Sequence, residues 1–310
     1  MSEERCGVVT VLGAPNAGKS TLVNKMVGAK VSIVTHKVQT TRARVRGVSV
    51  HDSTQIIYVD TPGIFKPKRK LDKAMVTAAW DALAGSDVVL LLVDAPAYLA
   101  TINDEANKAA LRSAEDTDRI IEALRKAETK AVLVLNKIDR MSRPPLLHLA
   151  KVMNEEGIFR ETFMLSAKKK KGIDDLRDYL IKKMPKGPFL YPDDQLSDIN
   201  DRMMAAEITR EKLFLRLHEE LPYSLTVETD IWERTKRGEL RLEQTIYVDR
   251  KSQKKLVLGH KGRSIAAVGK AAREEMQENF GETVHLFLYV KVREGWAEDK
   301  ERLRNMGLEI

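Results

Sequence analysis

The eight residues "GAPNAGKS", positions 13–20, constrain this chain more than any other stretch. They follow the apolar run "GVVTVL" and lead into "TLVNKMV", so a glycine-containing loop leaves a strand and opens a helix. Glycine, four residues, then Gly-Lys-Ser is the spacing of a phosphate loop. Gly13 and Gly18 let backbone N–H groups along Ala14, Asn16 and Ala17 wrap an anion, with Pro15 bending the loop between them. Lys19 is placed to reach the outer phosphates. Ser20 can ligate Mg²⁺ where it and Thr21 begin a helix whose dipole favours negative charge.

Such a loop needs a sheet behind it, and the first half of the chain supplies one. Short apolar runs ("TQIIYVD", "DVVLLLVD", "AVLVLNK", "ETFMLSA") alternate with helical stretches ("LDKAMVTAAWDAL", "IDDLRDYLIKKM"). This predicts an α/β phosphate-loop domain, a mostly parallel sheet with helices on both faces. "ARVRGVSVHDSTQIIYVD" reads instead as two strands joined by a polar turn at His51–Thr54, giving one antiparallel edge strand.

The base is specified further along. "NKID", Asn136, Lys137, Ile138 and Asp139, follows a strand end where a ligand crevice opens. Asp139 can accept from the ring N–H and exocyclic amine of guanine, and the wrong base leaves buried groups unpaired. Asn136 is expected to brace the phosphate loop and the Lys137 stem to lie over the base. "SAK", Ser166, Ala167 and Lys168, ends the next strand, and the Ala167 N–H is expected to meet guanine O6. Taken in this order, each at a strand end, the motifs specify GTP.

"DTPGI", Asp60, Thr61, Pro62, Gly63 and Ile64, supplies the remaining parts. Asp60 is expected to hold Mg²⁺ through water, and the Gly63 N–H to meet the γ-phosphate at the start of a switch. A first switch containing Gln39, Thr40, Thr41 and Arg42 lies between the phosphate loop and the hairpin. Thr40 or Thr41 completes the metal shell; spacing favours Thr41 without deciding it. Ile64 stands where many regulatory GTPases carry a water-orienting Gln, so slow intrinsic hydrolysis is expected. Asn16 is a candidate for holding a monovalent cation such as K⁺, and is equally readable as a loop former.

"MPKGPFLYPDDQLSDIND" is rich in Pro and Asp and lacks apolar periodicity, so residues 185–200 read as a linker between domains at 1–184 and 201–310. Beyond it the expected order is an amphipathic helix stopped near Pro222, two alternating strands, a short strand segment "KKLVL", the loop "GHKG", a helix and a last strand. This is a smaller α+β domain. A GXXG loop packed on a small sheet is the KH device for clamping about four nucleotides of single-stranded RNA. In that reading Gly259, His260, Lys261 and Gly262 are expected to grip the backbone, Ile265 and Val268 to floor the groove, and Lys254, Lys255 and Arg263 to add charge; the other reading of GHKG is a plain turn.

Charge supports an anionic partner. The chain carries a formal +8, and residues 250–273 hold eight Lys or Arg with no Asp or Glu. Such a run is either a solvated face or a nucleic-acid surface. The sole cysteine, Cys6, excludes an intramolecular disulfide, and no apolar run approaches the ~20 residues of a spanning helix. The polar N-terminal sequence fits neither a secretory signal nor a transit peptide, so a cytoplasmic protein is expected.

Taken together, "GAPNAGKS", "QTTR", "DTPG", "NKID", "LPYS", "QKKLVLGHKGRSI" and "YVKVREGW" resemble the Era family of GTPases, a G domain of the TrmE-Era-EngA group followed by a type II KH domain. The resemblance covers nearly the whole chain. It implies assembly of the small ribosomal subunit, a KH domain that binds the 3′ end of small-subunit rRNA, peripheral contact with the bacterial inner membrane, and the cation role for Asn16. A monomer is expected. The two-G-domain type would need a second phosphate loop, and the tRNA-modifying type a C-terminal cysteine. One stretch departs from the family: residues 95–118 are longer and more polar than usual, leaving open where the following helix starts. Two other readings are a membrane-associated signalling GTPase, whose basic face meets lipid, and an RNA-binding factor in which GTP is structural.

Overall fold

The computed structural model describes residues 3–37, 39–218 and 221–308. The chain divides into two compact units, one built mainly from residues up to Ser32 and Thr41–Asp198, the other from Ile33–Thr40 and Ile199–Met306.

In the first unit the order is β1 (Arg5–Leu12), α1 (Lys19–Val27), β2 (Val45–His51), β3 (Thr54–Asp60), α2 (Lys70–Asp81), β4 (Val88–Asp94), α3 (Ala95–Ile102), α4 (Lys108–Lys126), β5 (Ala131–Asn136), α5 (Arg143–Asn154), β6 (Phe159–Met164) and α6 (Ile173–Lys183). The six strands lie in the order β2-β3-β1-β4-β5-β6. All pairs are parallel except β2 with β3, so the expected antiparallel strand is present and lies at the edge. The central strands are apolar on both faces because both faces are covered. Period-two alternation sends Leu90, Leu92, Val132 and Val134 into one core with α1 and α6. Leu91, Val93, Leu133 and Leu135 enter the other with α4 and α5. Each fully buried aliphatic side chain contributes about 1.5–3 kcal/mol relative to exposure.

The segment whose helix start was open forms two helices. Asp94 accepts from the Ala97 N–H at the start of α3, with Pro96 in its first turn. Asn107 accepts from the N–H groups of Ala109 and Ala110 and starts α4 at Lys108. The stretch expected as a linker is bound to the first unit as far as Asp198. Cys6 N–H donates to Pro185 O at 3.1 Å and Val48 N–H to Leu196 O at 2.8 Å. Fully buried Gln55 accepts from the Leu190 and Tyr191 N–H groups.

In the second unit α7 (Asp201–Arg216) precedes β7 (Leu225–Arg234), β8 (Leu240–Val248), α8 (Lys251–Leu258), α9 (Arg263–Phe280), β9 (Val284–Val292) and α10 (Lys300–Asn305). The sheet order is β7-β8-β9, antiparallel then parallel. Residues of α7 and α9 pack on one face through Leu213, Val268 and Met276. The "KKLVL" segment, expected as a strand, is helical. Gln253 Oε1 accepts from the Arg250 N–H at 3.0 Å and closes the first turn of α8. Val257 is fully buried and Gln253, Lys254 and Leu258 are half-buried, whereas Ser252, Lys255 and Leu256 are exposed, a spacing of i, i+1, i+4 and i+5 set by helix geometry. Buried Trp296 donates from Nε1 to Ser224 O at 3.2 Å, which ties "REGW" to "LPYS".

Candidate functional site

The phosphate loop joins β1 to α1 at the carboxyl edge of the parallel sheet. Gly13 has φ 157 and a Cβ there would lie 2.4 Å from Leu92 O. Gly18 combines φ 102 with a would-be Cβ 2.3 Å from Asn136 Nδ2, so only glycine satisfies both backbone and neighbour. Lys19 Nζ turns back onto the carbonyls of Gly13 and Ala14, at 3.0 and 3.1 Å. Burial pulls its ammonium down to about 8, against the opposing pull of the Asp60 carboxylate. Exposed Asn16 sits at φ 63, a conformation Asn tolerates better than most residues.

Three hard oxygen donors meet beside this loop. Ser20 Oγ and Thr41 Oγ1 are 2.8 Å apart, and Thr41 Oγ1 donates to Asp60 Oδ2 at 3.3 Å. Asp60 is fully buried, burial pushes its carboxyl up, and its Oδ1 has no hydrogen-bond partner among the described residues. A buried carboxylate oxygen left over in a cluster of hydroxyls fits a small divalent cation. Thr40 instead shares its hydroxyl with Thr35 Oγ1 at 2.7 Å and with Lys37 O. Gln39 and Thr40 belong to the stretch grouped with the second unit, where the Thr40 carbonyl accepts from Arg210; Arg42 is buried in the first. Of the two threonines, the structure brings only Thr41 to Ser20 and Asp60.

At the second switch, Thr61 donates to Val11 O at 2.7 Å and the Ile64 N–H to Gly13 O at 3.2 Å. Pro62 lies between them. A Cβ on Gly63 would sit 2.9 Å from three Pro15 atoms, so the two loops touch where side-chain volume is forbidden. The Ile64 side chain packs in the core beside Leu12 and Ala79.

The base-recognition residues converge. Asn136 Nδ2 donates to Ala17 O at 2.8 Å, the expected brace on the phosphate loop. Its Oδ1 accepts from the Ala167 N–H at 3.0 Å, so the donor expected to face guanine O6 is engaged by Asn136 instead. Asp139 accepts from Ser166 Oγ at 2.5 Å, which holds its carboxyl below the usual range. Ile138 N–H donates to Leu165 O, fixing the loop, and Lys168 is exposed. Lys137, at φ 67, pairs with Asp94 Oδ2 at 2.5 Å. The sequence reading missed Asp94; its signal was an acid ending "VVLLLVD" at the same edge of the sheet.

The GHKG loop lies between α8 and α9. Gly259 (φ 71), Lys261 (φ 51) and Gly262 (φ 75) are left-handed in φ, and a Cβ on Gly259 would lie 2.6 Å from Ser264 Cβ. His260, Lys261 and Arg263 are exposed, as is Lys255, while Lys254 and Ile265 are half-buried. Val268 is 1% exposed and belongs to the core, so it does not floor a surface groove.

Residues 8–137 match the family described as "50S ribosome-binding GTPase", and residues 220–297 match the KH domain family. The chain is 54% identical over 309 residues to GTPase Era of Brucella suis biovar 1, covering 100% of this chain and 95% of that one. It is 56% identical over 304 residues to GTPase Era of Mesorhizobium japonicum, covering 98% and 94%. The chain belongs to the GTPase Era family. Among solved structures, Era in complex with MgGDPNP and nucleotides 1506–1542 of 16S ribosomal RNA matches with TM-score 0.89 and 33% identity over 99% of this chain and 100% of that one. A single-substitution variant of Aquifex aeolicus Era bound to GDP·AlF4⁻ matches with TM-score 0.89 and 34% identity at the same coverage. The Era family frame accounts for both the G domain and the KH domain described above.

Proposed function

We propose that this chain is a GTP-hydrolysing switch that binds the 3′ end of small-subunit rRNA through its KH domain and assists assembly of the small ribosomal subunit. The observation that carries this reading is the pairing, in one chain, of the loops meeting at Asn136 with an exposed GHKG loop between two helices. The likeness to an Era solved with MgGDPNP and 16S rRNA supports both halves.

Ser20, Thr41 and Asp60 would hold Mg²⁺. When bound, the ion neutralises charge on the outer phosphates. The chain's own residues would position the nucleotide: Lys19 sits among loop carbonyls that a phosphate would replace, backbone N–H groups of the 13–18 loop other than Pro15 would meet the anion, and Asp139 would accept from the base. Because Asp139 reads two donors, Asp139→Asn should trade preference for GTP toward XTP, whose second ring position carries a carbonyl. Competition binding of the two nucleotides checks this, and a reversal of the preference between GTP and XTP is the expected result.

The Ile64 side chain is committed to the core, so water positioning falls to other groups and hydrolysis is slow. Asn16 would help hold K⁺ near the phosphates, supplying charge that would otherwise come from an arginine finger. Phosphate release by the native protein should then be faster in K⁺ than in Na⁺, and Asn16→Ala should remove the difference. Equal rates in both salts for the native protein would end the cation reading. The protein acts as a monomer in the cytoplasm, with peripheral contact at the inner membrane; no helix among the described residues is long and apolar enough to cross a bilayer.

A further inference from the structure

We infer that the four-lysine turn Lys168–Lys171, on the first unit, is a second contact surface for RNA phosphates, independent of the GHKG loop. Ser166–Ala167–Lys168 completes the guanine site, but nothing in base recognition asks for three further lysines before Gly172. The turn is held at both ends. Ser166 N–H donates to Lys171 O at 2.9 Å and Lys171 N–H returns to Ser166 O at 3.2 Å. Ser166 Oγ also accepts from the Lys169 N–H at 3.2 Å, and Lys170 is left-handed at φ 56. Gly172, at φ 74, passes so close to Met164 O that a Cβ would lie 2.6 Å away. The backbone is therefore fixed while all four side chains are exposed.

Stability does not explain this arrangement, since four like charges in succession repel one another. Among the described residues none of the four forms an ion pair, nor do exposed Arg140 on the neighbouring loop after β5 and Arg143 at the start of α5. Of the acids that follow on α6, Asp174 and Asp178 are engaged by Arg177, which leaves exposed Asp175 as a single negative charge against the four lysines. Asp139 is the acid between the two loops, and it is assigned to the base. Lysine is a point charge without a planar fork, so the surface suits a phosphate backbone and reads no bases. RNA is favoured over a bilayer because residues 168–172 offer no apolar side chain to insert, and adsorption to lipid gains from apolar burial as well as charge.

The inference rests on reading the chain as a binder of the small subunit, and the experiment separates the two. Native full-length protein is compared with Lys169→Gln/Lys170→Gln/Lys171→Gln, leaving Lys168 unchanged, in the presence of a non-hydrolysable GTP analogue. Binding is measured from about 50 to about 200 mM salt to purified small ribosomal subunits, to a short single-stranded RNA of the 16S 3′ end, and to phosphatidylglycerol–phosphatidylcholine vesicles. For subunits, the variant should bind about tenfold more weakly or worse at low salt, with a log–log salt slope shallower by about two. Short-RNA binding and GTP hydrolysis should be unchanged. An unchanged slope on subunits would reduce the turn to a solvated face, and a loss seen only on vesicles would assign it to lipid; either overturns the inference. Native protein that fails to bind subunits would remove the underlying reading and this inference with it.

Discussion

At the scale of single residues, the GTP site is held together by groups whose positions leave little freedom. Asn136 makes two buried hydrogen bonds, to Ala17 and from Ala167, and so locks the base loop to the phosphate loop. Gly18 is confined by that same amide. Away from the site, Asp116 on α4 is held in a costly state. Burial raises its carboxyl to about 6 from the usual 3.8, with Glu115 adding to the shift while Arg119, 2.6 Å away, opposes it. Between those two values the folded state binds more protons than the unfolded one, so stability falls as pH rises through the window. The full cost is present above about pH 6 and absent below 3.8. Asp116→Asn should therefore stabilise the protein by about 1–3 kcal/mol at about pH 7.5, with the gain shrinking toward about pH 4. Denaturant melts at the two pH values check it.

The elements of the first unit were legible because their signals are local and redundant: apolar runs of strand length, glycine spacing, and acids or amides at strand ends. What escaped was non-local. Residues 185–198 carry no apolar period, yet their backbone pairs with β1 and β2 and is gripped by the single side chain of Gln55. Only the fold brings those partners together. In the second unit, α8 was misread because five residues of "KKLVL" are too few to distinguish periods of 2 and 3.6. The capping glutamine at 253 was the available clue. Val257→Ala should cost about 1–3 kcal/mol through lost burial and the cavity left, while Leu256→Ala should be near neutral despite its larger side chain. Thermal or urea unfolding of the two variants checks which face of α8 is buried.

For the molecule as a whole, the sequence showed which ligands to expect more clearly than which atoms meet them. Thr41 rather than Thr40, Ala167 already bonded to Asn136, and Val268 in the core all depend on how separate segments come together. Charge falls in two places, with Lys19 buried at the phosphate loop and Lys and Arg exposed around GHKG, and the proposed function assigns the first to a nucleotide and the second to RNA. The proposed function requires that RNA be gripped at GHKG by a protein whose other domain is a GTP switch. The most direct test is fluorescence anisotropy of a short single-stranded RNA from the 16S 3′ end, with native protein and a His260→Asp/Lys261→Asp variant, each with GDP and with a non-hydrolysable GTP analogue. Binding by the native protein that depends on the nucleotide and is lost in the variant is the predicted result. Equal binding by both proteins, or binding by neither, would contradict it.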